Sequence, residues 1–173
     1  MLFGLTPLGV FHTAVSLVAV AAGIIALIRD KQITSRNSVG KVYIVSTIIV
    51  CLTGFGIFQH GGFGKPHVLG IITLVVLGVA AIAGRTNYFG KSSRYIEVVS
   101  YSATFFFHMI PAVTETATRL PLGSPWIADR ESPILQGIIG VFFVLFLIGA
   151  TLQVRMLRSS TKEQSLGAIP GTH

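Results

Sequence analysis

Residues 94–119 read RYIEVVSYSATFFFHMIPAVTETATR, and the order of polar and apolar positions in this stretch decides the fold. Glu97, Tyr101, Thr104, His108 and Glu115 follow one another at steps of four, three, four and seven residues. That spacing puts all five on one side of an α-helix. Val98, Phe105, Phe106, Met109 and Val113 occupy the opposite side and suit lipid or neighbouring helices. If the helix crosses a membrane, its polar stripe must point into the protein, because hydrocarbon offers no partner for such groups.

The rest of the chain agrees with that setting. It has 173 residues, of which 51% are hydrophobic and only 11% charged, and a mean hydropathy of +0.75. A soluble domain of this length is far less apolar, so the composition predicts an all-α, polytopic transmembrane bundle in one domain, residues 1–158. The net charge of +7 does not point to nucleic acid, since the basic residues are spread between apolar segments and build no aromatic-basic surface. Cys51 is the sole cysteine, which excludes an intramolecular disulfide and disfavours a cysteine-based metal site.

Five spans are expected, over about residues 8–28, 42–59, 67–84, 95–118 and 134–154. The first carries its positive charge after the apolar run, unlike a cleaved signal peptide, and is read as a retained helix. HGGFGKPH, residues 60–67, joins the second and third as a helical hairpin. The polar stretch 159–173 is expected to be a disordered tail. Arg29, Lys31, Arg36, Lys41, Arg85, Lys91, Arg94, Arg155, Arg158 and Lys162 fall on one side, against Lys65, Arg119 and Arg130 on the other. The positive-inside rule then sets the N-terminus outside and the C-terminus in the cytoplasm. Glycines within the spans, among them Gly23, Gly54, Gly56, Gly70, Gly78, Gly137 and Gly140, are read as sites of close helix approach.

With this topology His12, His60, His67 and His108 all fall toward the external leaflet, and Glu115 joins them. His12 lies about 6 Å along the first span and His108 about 21 Å from Arg94, at roughly 1.5 Å per residue. A buried imidazole or carboxylate has to be hydrogen-bonded, neutralised or metal-bound. Histidine nitrogen is a ligand for copper, zinc, iron and haem iron. His12 and His108 are the candidate axial pair for haem b, with Gly23, Gly54 and Gly56 as a source of space. His12, His60, His67, His108 and Glu115 are the candidate set for a copper, zinc or iron ion. Pro111, three residues after His108, frees the Phe107 carbonyl and bends the helix there.

RNSVGKVY, residues 36–43, resembles a stretch that reads HRRLGRVY in a family of small bacterial multi-span membrane proteins. Gly40, Val42 and Tyr43 match, and Lys41 replaces arginine. His12 with Gly23, CLTGF at 51–55, and RYIEVVSYSATFFF through RLP ending at residue 121 extend the resemblance over about residues 8–121. Arg36 stands where that family usually has histidine. The resemblance implies the multi-span architecture and a bacterial inner membrane, and assigns no activity.

Three functions follow as expectations. The first is a histidine site binding a haem or transition-metal cofactor for electron transfer or metal handling. The second is proton-linked transport or permeation along the stripe, which covers about 27 Å at 1.5 Å per residue, close to the hydrocarbon thickness. The third is a structural or assembly subunit held by glycine-mediated packing, in a homo-oligomer or a larger membrane complex. The bilayer is the expected partner in each case. The chain has no P-loop, dinucleotide fingerprint, GxSxG elbow or CxxC, so hydrolase and kinase chemistry has no support.

Overall fold

Thr6 and Pro7 start the first helix in the way their chemistry favours. The threonine hydroxyl accepts from the Gly9 N–H at 3.1 Å, and proline occupies a position whose N–H has no helical partner. In the computed structural model, which describes residues 6–58, 62–86 and 88–167, α1 runs Pro7–Asp30, α2 Ser38–Gly54, α3 Lys65–Arg85, α4 Ser93–Arg119 and α5 Pro133–Gly167. A single 3-10 turn, Gly90–Ser92, leads into α4. No strand occurs among the described residues.

Four of the helices, α1, α3, α4 and α5, are long and apolar enough to cross a membrane, by length and composition. α2 has 17 residues, about 25 Å at 1.5 Å per residue, the lower limit for a span. It starts earlier than the apolar run because Asn37 caps it, accepting from the Gly40 N–H at 2.8 Å. It stops at Gly54, before the expected end at 59. α5 corrects the expectation for the C-terminal segment: it continues as helix to Gly167, well past residue 154. Residues 168–173 lie outside the described residues.

α1 packs along α2, α3 along α4, and α4 along α5, with lighter contact between α2 and α3 and between α1 and α4. α4 therefore touches every other helix, reaching α2 through side chains. The core is built from small residues and two tyrosines: Ala22, Ala26, Ile33, Tyr43, Leu77, Ala80 and Tyr101. Small side chains let backbones approach closely where lipid removes the usual hydrophobic drive. Gly40 shows how tight this becomes, since a Cβ there would collide with the Thr34 carbonyl. The outward faces carry exposed Leu17, Ile28, Val75, Val141, Leu145 and Leu152, a surface that water would not tolerate and lipid tails would. α5 is held to the bundle at Gln153, which accepts from Ser102 Oγ at 2.9 Å and donates to the Lys31 carbonyl at 2.8 Å.

Candidate functional site

The polar stripe of α4 faces inward, as its spacing requires. Glu97, Tyr101, Thr104 and His108 are all buried. Glu115 is not, and its side chain is 41% exposed. There it binds Arg119, one turn on, and Arg130 at 3.0 Å. The interior row therefore ends at His108, with Glu115 serving as a surface ion pair.

At the other end of the row Glu97 sits in a charged cluster. Its carboxylate is wholly buried, and Oε2 accepts from Arg94 Nη1 at 2.7 Å. The same oxygen lies 3.2 Å from Arg36 Nη2. Arg94 also donates to Gln32 Oε1 at 3.0 Å. A charge this deep persists only when paired, and here two guanidiniums from different segments do so. Arg36 thus acts as a counter-ion.

Between these ends the row is stitched to α2 by hydroxyls. Tyr43 Oη and Thr104 Oγ1 are 2.8 Å apart, and Thr47 Oγ1 and His108 Nε2 are 3.2 Å apart. The donors can be assigned, because each hydroxyl has one proton to give. Thr104 donates to the Tyr101 carbonyl, so Tyr43 donates to Thr104. Thr47 donates to the Tyr43 carbonyl at 2.7 Å, so His108 donates from Nε2 to Thr47. Its Nδ1 carries the lone pair.

His12 follows the same logic with the nitrogens exchanged. Its Nδ1 is 3.0 Å from Thr53 Oγ1, and that hydroxyl already donates to the carbonyls of Ile49 and Val50. His12 therefore donates from Nδ1 and keeps its lone pair on Nε2.

The wider histidine set does not converge. His67 closes the start of α3, where its Nδ1 accepts from the Gly64 N–H at 3.2 Å. Its ring is stacked between Phe58 and Phe63, with centroids 5.1 Å away on each side. His60 lies outside the described residues. No three His, Cys, Asp or Glu side chains among the described residues are placed to hold one metal ion. The glycines expected to make room for a macrocycle are already filled: a Cβ added at Gly23 would collide with the Phe105 ring, one at Gly56 would sit 2.9 Å from Leu8, and one at Gly54 would sit 3.4 Å from the His12 ring.

The sequence analysis gave no site role to Tyr43, Thr47 and Thr53, which supply the partners on α2. A signal was present, since Tyr43 and Thr47 are polar groups four residues apart in an apolar run. The fold and site together define a membrane-type all-helical bundle with a buried, hydrogen-bonded polar face. Comparison with protein-family models, curated proteins and solved structures finds no match for this chain.

Proposed function

We propose that this protein moves protons, or a solute linked to protons, along the buried face of α4. In this reading α2 is the fifth span, the N-terminus is external and the C-terminus cytoplasmic, as the distribution of Lys and Arg favours. The membrane is a bacterial inner membrane. The observation that carries the reading is the unbroken burial of Glu97, Tyr101, Thr104 and His108 on one helix face. Ionisable groups inside a span mark proton and substrate paths more often than passive packing. His108 is the titrating residue, because its Nδ1 can accept a proton while Nε2 stays anchored to Thr47.

The test is proton flux into vesicles reconstituted with the purified protein and loaded with a pH-sensitive dye. His108→Ala is expected to abolish the protein-dependent, pH-dependent component. Unchanged flux in that variant removes the reading.

A second reading draws on the same two lone pairs: a transition-metal ion held by His12 and His108 for electron transfer or metal handling. The threonines would then orient the ligand rings from behind, as hydrogen-bond partners of metal-bound histidines do. An optical spectrum with and without reductant, together with elemental analysis after mild purification, decides it. Absence of stoichiometric metal removes the cofactor.

A further inference from the structure

A second polar feature lies at the opposite end of α4 from His108. Arg36, Gly84, Arg85, Thr86, Lys91, Ser93, Arg94 and Glu97 line an open pocket of about 310 Å³ where α3 ends and α4 begins. Four of its side chains are cationic and one is a carboxylate. Arg36 and Arg94 are engaged by Glu97 Oε2, whereas Arg85 and Lys91 have no ion pair among the described residues. Positive charge therefore exceeds what the protein itself neutralises.

Two side chains lining the pocket carry buried polar atoms without a partner among the described residues. Ser93 is only 7% exposed, and its Oγ has no hydrogen-bond partner among the described residues. Oε1 of Glu97 is in the same condition, although Oε2 is doubly bound. The start of α4 runs on from the 3-10 turn, whose Gly90 carbonyl accepts from the Ser93 N–H. Buried polar groups left bare, as these two oxygens are, cost stability unless something supplies the missing bonds.

The missing bonds are of two kinds, and together they specify the ligand. Arg85, Lys91 and the Ser93 hydroxyl offer hydrogen bonds to an anion with several oxygens. Glu97 Oε1 needs a donor. We propose that this pocket binds a phosphate ester that also carries a hydroxyl, the phosphate lying against Arg85, Lys91 and Ser93 and the hydroxyl donating to Glu97 Oε1. The pocket lies at the ends of two apolar helices, at headgroup level for a spanning bundle, where basic pockets between helices take anionic lipid headgroups. A phosphoglycerol headgroup and soluble glycerol phosphate share the required chemistry. Phosphocholine lacks any N–H or O–H donor and serves as the control.

The full-length protein is purified in mild detergent and exposed to mixed micelles of phosphatidylcholine with or without phosphatidylglycerol, or to soluble glycerol phosphate, and retained ligand is quantified. Selective retention of phosphatidylglycerol identifies the lipid as source, and retention of glycerol phosphate without lipid preference identifies the soluble ester. Either supports the site if Arg85→Gln and Lys91→Gln each reduce affinity about fivefold, the effect of one surface charge on anionic-lipid binding. Ser93→Ala is expected to weaken binding with no change in charge, whereas Lys41→Gln, outside the pocket, is expected to leave it unchanged. Retention no better than phosphatidylcholine alone overturns the proposal. So does an equal loss in Lys41→Gln and Lys91→Gln, which would assign binding to general surface charge.

Discussion

The carboxylate of Glu97 lies over the bare α-carbon of Gly84, so near that a Cβ at residue 84 would sit 2.6 Å from Oε1 and 2.7 Å from the carboxyl carbon. Gly84 thereby gives the buried charge its place, and its carbonyl accepts from Arg36 at 3.4 Å. Gly84→Ala must displace either the carboxylate or the α3 backbone, with a cost of about 1–3 kcal/mol. Thermal unfolding in detergent measures this. Gly78→Ala on the same helix meets nothing within 4 Å and is expected to show no loss, so equal destabilisation by both changes would refute the account.

Thr47→Val keeps the shape of the side chain and removes the acceptor for His108 Nε2. A buried N–H without a partner costs about 1–3 kcal/mol. Adding His108→Phe removes the unsatisfied group, and the double variant is expected to lose less than the sum of the two single losses. A coupling near zero in the double-mutant cycle would mean that the two side chains do not interact.

Tyr43→Phe is expected to be milder. Thr104 keeps its bond to the Tyr101 carbonyl and loses only the proton offered by Tyr43. The expected cost is about 1 kcal/mol, that of one ordinary hydrogen bond. A loss larger than that of Thr47→Val would contradict the donor assignment.

The assignment can also be read without mutation. With 15N-labelled histidine, His108 is expected to show a protonated Nε2 and His12 a protonated Nδ1 when both rings are neutral. The opposite tautomer at either position would require Thr47 or Thr53 to give up its bond to the backbone.

Much of the fold was legible because apolar runs and polar periodicity are local properties. All five helices lie where those runs lie, and the inward face of α4 follows from the spacing of Glu97, Tyr101, Thr104 and His108. Depth along the membrane normal was less informative about contact. It grouped His67 with His12 and His108, yet His67 is committed to Gly64, Phe58 and Phe63. Depth places a residue in a layer, while packing decides which way its helix is turned. The pairing of Arg36 with Glu97 joins residues 61 positions apart and leaves no periodic trace. The end of α5 escaped for another reason: a polar helix extending beyond the apolar span has no hydrophobic face to announce it.

One feature of α4 governs how the helix can move. Glu97 and Glu115 are 18 residues apart, about 27 Å along the axis at 1.5 Å per residue, and each is gripped by two arginines. That separation is close to the thickness of the hydrocarbon layer. Sliding α4 in either direction would drag one charged cluster into the layer, so the two clusters act as end stops against piston motion. Movement of His108 is thereby confined to rotation or bending, and Pro111, inside the helix, is the natural pivot.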